Sequence, residues 1–353
     1  MRDVLAEWQP VVDEAIAEVL PRVVDEIYLS AFFGDPSYRY DADAIQRALA
    51  DPLWDLLDRG GKRWRAVLFL LLVDAFREDP EEYVEYACIP EILHNGTIIV
   101  DDVEDGATLR RGKPALHRVF GIDVALNAGN AMYFMPLKLI GQNPGDLDEA
   151  TRLRAYEMLM DELNRTHLGQ GMDIVWHNRR TVDVTEEEYL EMCACKTGCL
   201  GRIVARLAAI VTGNPAEEDH VARYAESMSI AFQIADDVLD VEYAMERGGA
   251  FGKGPGNDVR EGKKTLMVIK AAATADAGTV ARLEEILAAE ENTDDEVLEA
   301  VEILRSAGAV EGARETATEL AAEAREHLGR ADLDPDVAET LAEFTRFVVD
   351  REV

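Results

Sequence analysis

Lysine is scarce in this chain of 353 residues, and carboxylates far outnumber cations. Lys and Arg together number 36 against 70 Asp and Glu, which gives a formal net charge of −34. So negative a surface repels nucleic acid and anionic lipid, which makes both poor candidates for a partner. Because the acidic residues are spread along the whole chain, the composition favours adaptation to concentrated salt, where screening weakens self-repulsion. An ordinary acidic cytoplasmic protein is the alternative.

Long apolar runs and cysteine are also in short supply. No stretch reaches the roughly 18 apolar residues of a membrane span, and the N-terminus "MRDVLAEWQP" lacks the apolar core of a signal peptide. We therefore expect no integral membrane segment and a cytoplasmic location. The spacing in "CACKTGC" is not that of a zinc site, and no matching His/Cys group follows, so buried reduced thiols are expected. The four cysteines are Cys88, Cys193, Cys195 and Cys199.

Patterns with the period of a β-strand are lacking, whereas helical spacing of apolar residues is common. It runs through "VVDEAIAEVLPRVVDEIYLSAF", "RLRAYEMLMDELNRTHLGQGMDIVW" and "VLEAVEILRSAGAVEGARETATELAAEAREHL". Capping boxes at "TEEE" (185–188) and "TDDE" (293–296) predict two helix starts. The sequence therefore predicts an all-α protein, with residues 1–353 forming a single large helical domain.

Two acidic motifs end apolar stretches. In "IIVDDVEDGATLRRG" the apolar lead-in continues as a helix into Asp101, so Asp101 and Asp105, four residues apart, share a face. A solvated helix end is the alternative for this motif alone. In "FQIADDVLD" the pattern recurs with Asp236 and Asp240. Apolar neighbours surround these carboxylates, and a buried carboxylate needs a partner. Oxygen ligands of this kind suit Mg²⁺, which completes its shell with water and substrate phosphates.

The cations point to what such a metal would hold. Basic residues cluster in "GGKRWR", "LRRG", "CKTG", "GKGPG" and "EGKKTL", mostly beside Gly or Thr in settings typical of loops and helix ends. Such positions suit phosphate binding. A surface salt bridge explains each cation singly, but jointly they indicate a polyanionic substrate.

A series of motifs resembles the trans-type isoprenyl diphosphate synthases in its order and separations. The motifs are "GGKRWR", His94 before "DDVED", "RRGKPALH", "GQGMD", "KTG", "FQIADDVLD" and "EGKKTL". The resemblance covers about Gly60 to Lys270. It implies an isoprenoid synthase fold, a helical bundle around a central cavity, and a homodimer. It also implies a prenyltransferase that condenses isopentenyl diphosphate with an allylic diphosphate by ionisation, condensation and proton loss.

The same resemblance assigns roles to residues. About three Mg²⁺ ions would be held on the allylic diphosphate by Asp101, Asp102, Asp105, Asp236, Asp237 and Asp240. The allylic substrate would contact Arg110, Lys196, Thr197, Gln233, Lys253 and Lys263. Isopentenyl diphosphate would be bound by Lys62, Arg65, His94 and Arg111. Gln170 and Asp173 would hold these groups in position without contacting the substrate. The residues expected to be catalytic are Asp101, Asp105, Asp236 and Lys196.

In the family, the positions five and four before the first aspartate line the product tunnel. Here they are Gly96 and Thr97, both small, so we expect geranylgeranyl diphosphate as the product, with a C25 chain as the alternative. Trp64, Ala66 and Met267 depart from the family's usual pattern, and they affect helix starts near Lys62 and Lys263 more than the predicted ligands.

Three other interpretations stay open. A class I terpene cyclase has an aspartate-rich helix but does not need the isopentenyl site. A non-catalytic partner subunit is expected to lose one aspartate motif, and a helical scaffold would use its charges only as a solvated surface.

Overall fold

The computed structural model describes residues 1–245, 256–289 and 291–349. Over these ranges the chain forms nineteen α-helices and one two-stranded sheet, which confirms the predicted all-α class. Within the same ranges, no helix combines the length and the apolar character that crossing a membrane requires. By its internal contacts the chain divides into two compact units. The single domain therefore stays a prediction.

The first unit comprises Arg2–Asp74 and Glu78–Tyr156. In it, α6 packs against α1 and α8, and α4 packs against α6, α7 and α8. The helices are α1 (Arg2–Val19), α2 (Glu26–Phe33), α3 (Ala42–Ile45), α4 (Asp51–Asp58), α5 (Trp64–Ala75), α6 (Val84–Glu104), α7 (Leu116–Phe120), α8 (Ile122–Phe134) and α9 (Lys138–Gln142). The strands are β1 (Leu109–Arg110) and β2 (Lys113–Pro114).

The second unit comprises Met1, Ala75–Arg77 and Glu157–Val353, and its core helix, α13, packs against α12 and α18. A π-helical turn, Ala194–Gly198, joins α11 to α12. The helices are α10 (Glu149–His177, which begins in the first unit), α11 (Glu186–Cys193), α12 (Cys199–Val211), α13 (Glu218–Met245), α14 (Asn257–Arg260), α15 (Leu266–Thr274), α16 (Ala277–Leu287), α17 (Asp294–Ser306), α18 (Ala309–Leu328) and α19 (Pro335–Val349).

Local sequence explains where several helices begin and end. Thr185 and Thr293 each form the predicted capping box at the start of α11 and α17. The first long apolar segment divides near Pro21, because proline lacks an N–H and disfavours helical backbone in the residue before it. The last one divides at Gly308, whose φ of 67° lies in the left-handed region that glycine adopts readily.

Candidate active site

The first acidic motif lies at the C-terminal end of α6. Asp105 caps the helix, and its backbone N–H donates to the carbonyl oxygen of Asp101 at 2.8 Å. Both residues are half-buried and lie one turn apart, as the sequence predicts. Two carboxylates therefore occupy the same end of one helix, where oxygen ligands for a cation could lie close together.

Asp102, between them, has a different environment. It is only 1 % exposed, and Nε of Arg110 donates to its two carboxylate oxygens at 2.8 and 3.1 Å. Nη2 of Arg110 also contacts this carboxylate, and lies 3.9 Å from Oδ2 of Asp101. A buried carboxylate needs such a partner. Arg110, predicted to contact substrate, thus also neutralises the middle aspartate of its own motif.

A short hairpin carries the two arginines of "LRRG". Strand β1 pairs with β2 in antiparallel register, Arg110 opposite Lys113. The two connecting residues, Arg111 and Gly112, have φ values of 52° and 73°. Positive φ at both central positions is the signature of a type I′ turn, whose twist matches that of a tight hairpin. Although they are neighbours in sequence, Arg110 and Arg111 have different partners: Arg110 donates to Asp102, and Arg111 donates to the carbonyl oxygen of Leu56.

The residues predicted to bind isopentenyl diphosphate gather in the first unit. Burial, followed by the charges of Arg65 and Arg111, lowers the pKa of His94 well below its usual value, so the imidazole is neutral at pH 7. Arg65 is 3 % exposed, whereas Lys62 lies on the exposed loop before α5. Arg65, His94 and Arg111 are therefore electrostatic neighbours.

Arg111 is half-buried and surrounded mainly by other cations. Burial and the charge of Arg63 lower the pKa of Arg111 to about 10, so the guanidinium remains charged at neutral pH. Glu91 acts in the opposite direction. This carboxylate is 3 % exposed in the middle of α6, and its Oε2 is buried without a hydrogen-bond partner among the described residues. Leaving a buried oxygen unsatisfied is costly, and the charge of Glu91 acts on Arg111, so Glu91 is a candidate site residue that sequence reasoning missed.

The "GGKR" loop packs closely against these cations. A Cβ atom added at Gly61 would lie 2.7 Å from Nη1 of Arg63 and 3.3 Å from the Nη atoms of Arg111. Gly61 also has a φ of 136°, which a residue with a side chain rarely adopts. Arg63 is anchored by Asp13, 2.7 Å from its Nε. Close packing therefore requires glycine at position 61, whereas at Gly60 a Cβ would meet no atom within 4 Å and only the φ of 97° favours glycine.

The second acidic motif lies on α13 in the second unit. Asp237 is 8 % exposed and accepts hydrogen bonds from Nε2 of Gln233 at 2.8 Å and the hydroxyl of Tyr189 at 3.0 Å. Burial raises the pKa of Asp237 to about 7, although the bond from Gln233 opposes the shift. Asp236, half-buried beside it, raises that pKa further. Gln233 in turn accepts from the Thr197 hydroxyl at 3.1 Å.

Asp240, the last carboxylate of this motif, holds the start of α14. Its two oxygens accept the backbone N–H groups of Asn257 at 3.2 Å and Asp258 at 3.1 Å. Unsatisfied N–H groups at a helix start favour such an acceptor. Asp102, Asp237 and Asp240, all predicted to bind metal, therefore also accept hydrogen bonds from donors of the chain itself.

Lys196 and Asp173 form an ion pair, with Nζ 2.6 Å from Oδ2. They come from the π-helical turn and from α10, which approach each other closely at Gly169. A Cβ there would lie 2.3 Å from the backbone N of Lys196, so only glycine fits. Gln170, beside it on α10, is half-buried. The "GQGMD" and "KTG" motifs are thus in direct contact, as a supporting role for Asp173 requires.

Two more cations, Lys263 and Lys253, are predicted to contact the allylic substrate. Nζ of Lys263 lies 2.8 Å from Glu261, and the neighbouring Lys264 is 2 % exposed and donates to the carbonyl oxygen of Gly262 at 3.0 Å. Burial lowers the pKa of Lys264, which the sequence did not distinguish from Lys263. Lys253 lies outside the described residues.

The predicted metal is chemically compatible with these donors. Carboxylate oxygens are the ligands that Mg²⁺ prefers, and Mg²⁺ usually takes one or two of them together with substrate phosphates and water. Across residues 1–245, 256–289 and 291–349, no three His, Cys, Asp or Glu side chains form a metal cage by themselves. A pair such as Asp101 and Asp105 suits a metal that shares its coordination with a phosphate.

Gly96, predicted to line the product tunnel, contacts a neighbouring helix. A Cβ added to it would lie 2.6 Å from Cβ of Met132 and 3.0 Å from the carbonyl oxygen of Gly129, both on α8. Gly129 faces α6 in the same way, since a Cβ added to it would lie 2.7 Å from Cγ2 of Val100. Thr97 is half-buried, and its hydroxyl donates to the carbonyl oxygen of His94. Gly96 thus allows α6 and α8 to pack closely, and its link to product length stays a prediction.

Comparison with known proteins places these features in one family. The polyprenyl synthetase family model matches residues 46–304. A short chain isoprenyl diphosphate synthase from Methanothermobacter thermautotrophicus is 33% identical over 99% of this chain and 98% of its own. A geranylfarnesyl diphosphate synthase from Natronomonas pharaonis is 30% identical over 98% and 96%. The geranylgeranyl pyrophosphate synthetase structure from Geoglobus acetivorans superposes with a TM-score of 0.81 at 28% identity, covering 99% of this chain and 100% of that one.

Proposed function

Since this chain belongs to the polyprenyl synthetase family and is an isoprenyl diphosphate synthase, we propose that it joins isopentenyl diphosphate to an allylic diphosphate and releases geranylgeranyl diphosphate. One observation carries the proposal. At the end of α6, a carboxylate pair made by Asp101 and Asp105 stands next to the hairpin that presents Arg110 and Arg111. An enzyme that binds two diphosphates, one of them through a metal, needs both kinds of group.

On the isopentenyl side, Lys62, Arg65 and Arg111 bind the diphosphate. Arg111 and the buried Arg65 offer fixed positive charge, and the exposed Lys62 can close on the ligand. His94, neutral at pH 7, contributes a hydrogen bond rather than a charge. Diphosphate binding here holds the double bond of isopentenyl diphosphate in place for the reaction.

On the allylic side, each acidic motif would hold Mg²⁺, the first through Asp101 and Asp105 and the second through Asp236, and Lys196, Thr197 and Gln233 would contact the substrate. When bound, Mg²⁺ neutralises the departing diphosphate and so lowers the barrier to breaking the carbon–oxygen bond. Asp173 keeps the Lys196 ammonium in place at 2.6 Å.

The chemistry needs no nucleophilic side chain. Once the carbon–oxygen bond of the allylic diphosphate breaks, the double bond of isopentenyl diphosphate forms the new carbon–carbon bond with the allylic cation. Loss of a proton, which we assign to the departing diphosphate, restores a double bond. The chain's part is to orient both diphosphates and exclude water, which is consistent with a site made of cations and carboxylates.

Product length follows from the small residues before the first aspartate motif. Gly96 and Thr97 place no bulky aromatic side chain at this point of α6, and we propose a C20 product. The 30% identical relative from Natronomonas pharaonis is named for geranylfarnesyl diphosphate, which keeps a C25 product as the alternative. Chromatography of the products separates the two, and a mainly C15 product would refute this step.

A homodimer is supported by exposed apolar side chains along α10. Met160, Leu168 and Val175 are 45%, 63% and 51% exposed and recur at close to heptad spacing. Such a row on one helix suits burial against another chain. Light scattering of the purified protein would give the mass, and a monomer at working concentrations would contradict the homodimer. A cytoplasmic location and adaptation to concentrated salt stay predictions.

Incubation with labelled isopentenyl diphosphate and C5, C10 or C15 allylic primers, with and without Mg²⁺, tests the proposed function. We expect label in longer chains only with primer and Mg²⁺. Metal-dependent loss of diphosphate from a primer without incorporation of label would favour a terpene cyclase. No reaction at any salt concentration would favour a non-catalytic partner or a scaffold.

A further inference from the structure

Arg59, the last residue before the "GGKRWR" motif, has a buried guanidinium. It follows α4 directly, and its side chain is only 1% exposed. Nε donates to the carboxylate of Asp55, while Nη1 donates to two carbonyl oxygens of the hairpin, that of Pro114 at 2.7 Å and that of Arg110 at 3.3 Å. One side chain thus ties both strands, β1 and β2, to the end of α4.

Arg111 makes the reverse connection from the hairpin. Its Nη1 donates to the carbonyl oxygen of Leu56 at 2.9 Å and also contacts that of Gly60. Each arginine therefore donates to backbone carbonyls of the segment that carries the other. We call this pair of side chains, Arg59 and Arg111, the arginine interlock.

Besides Arg59 and Arg111, the hairpin is fixed by its own short ladder, by a backbone hydrogen bond from Ala115 to Thr108 at 3.1 Å and by the bonds from Arg110 to Asp102. Its ladder consists of two residue pairs, Leu109 with Pro114 and Arg110 with Lys113. Pro114 has no N–H to give to the ladder, and a two-stranded hairpin by itself is marginal in water. Contacts from outside the ladder must therefore hold it, and Arg59 supplies the two directed at its strand carbonyls.

We propose that Arg59 is a positioning residue that holds Arg111 ready to bind isopentenyl diphosphate. The inference rests on the proposed function, because it takes Arg111 as an isopentenyl diphosphate ligand. Arg59 itself touches no substrate: its donors are directed at Asp55, Arg110 and Pro114. Its influence reaches the site through the backbone of the turn that bears Arg111.

The geometry predicts that one substrate is affected more than the other. The side chain of Arg110 is held independently by two bonds from Nε to the carboxylate of Asp102. Loss of Arg59 leaves that pair intact, so the allylic side keeps its arginine. Among the residues that the structure describes, no carboxylate clamps Arg111 in this way; its guanidinium bonds to Leu56 and Gly60 depend on where the turn lies.

The test compares steady-state kinetics of Arg59→Gln, Arg59→Lys and wild type with each substrate varied in turn. Arg59→Gln should raise KM for isopentenyl diphosphate about tenfold, as expected for loss of charge-assisted hydrogen bonds. KM for the allylic substrate should change less than about twofold on the same scale. Arg59→Lys, which can keep one of the bonds, should lie between. The matched control is Arg22→Gln, which removes an exposed arginine that pairs with Asp58 of α4. Its KM values should match those of wild type.

Arg59→Gln leaves Asp55 without its cation, so the double variant Arg59→Gln/Asp55→Asn is included to preserve folding. It should show the same selective rise in KM. A uniform loss of kcat with both KM values unchanged, or equal rises for both substrates, would assign Arg59 a merely structural role and overturn the inference. If wild type elongates no primer and binds no isopentenyl diphosphate by calorimetry, the proposed function itself fails, and this inference falls with it.

Discussion

Replacing Gly96 by alanine tests the close packing of α6 against α8. The new Cβ would lie 2.6 Å from Cβ of Met132 and 3.0 Å from the carbonyl oxygen of Gly129. Neither atom belongs to a flexible side-chain end, so the helices must move apart. Overpacking of this kind costs about 1–3 kcal/mol. Alanine regains about 0.8–1 kcal/mol of helix propensity over glycine, so we expect a net loss of up to about 2 kcal/mol.

The assay is chemical denaturation at one fixed salt concentration, with Gly171→Ala as the matched control. Gly171 is also helical and exposed, but a Cβ there would meet no atom within 4 Å. The control should therefore gain about 0.5–1 kcal/mol. If Gly96→Ala gained as much as the control, the close helix contact would be refuted. If it kept wild-type stability and gave shorter products, Gly96 would act by lining the tunnel instead.

Three further predictions concern the site. Thr97→Tyr should shorten the product, seen by chromatography, because it puts a bulky aromatic side chain at a position predicted to line the tunnel. An unchanged C20 product would show that position 97 does not limit chain length. His94→Gln should keep a constant ratio to wild-type kcat/KM for isopentenyl diphosphate from pH 6 to 8, since the lowered pKa leaves His94 neutral; a ratio that changes near pH 6.5 would show a charged imidazole. Asp240→Asn should cost about 1 kcal/mol of stability, because the amide keeps only one acceptor oxygen for the backbone N–H groups of Asn257 and Asp258, yet retain measurable turnover. Asp236→Asn should abolish turnover, and equal losses of turnover in the two variants would give Asp240 a direct metal role.

Much of the fold around the first motif could be predicted because it depends on local sequence. The apolar run before Asp101 predicts a helix, and α6 extends to Glu104. The capping boxes at Thr185 and Thr293 involve residues three apart, so their partners are visible in the sequence. The hairpin was missed because strands of two residues are too short to show an alternating pattern.

The division among the carboxylates could not be predicted in the same way. Asp101 and Asp102 look alike in "DDVED", and only the position of Arg110 eight residues later makes Asp102 the buried partner. Asp240 likewise depends on the start of α14, seventeen residues away. These partners are set by how the chain returns on itself, and the roles assigned to the motifs through the family resemblance stay predictions.

Gly96 shows a different limit. A small residue before the first aspartate is compatible with an open tunnel and equally with a close helix crossing. Sequence spacing alone does not tell which neighbour a glycine meets, and the packing of α6 on α8 decides it.

The central claim is that the first carboxylate of each acidic motif, Asp101 and Asp236, supports metal-dependent chain elongation. Incorporation of labelled isopentenyl diphosphate into an allylic primer, measured for wild type, Asp101→Ala and Asp236→Ala with and without Mg²⁺, tests it most directly. The account predicts elongation by wild type only with Mg²⁺, and no turnover by either variant while circular dichroism shows the helices intact. Near-normal elongation by folded Asp101→Ala or Asp236→Ala would contradict it.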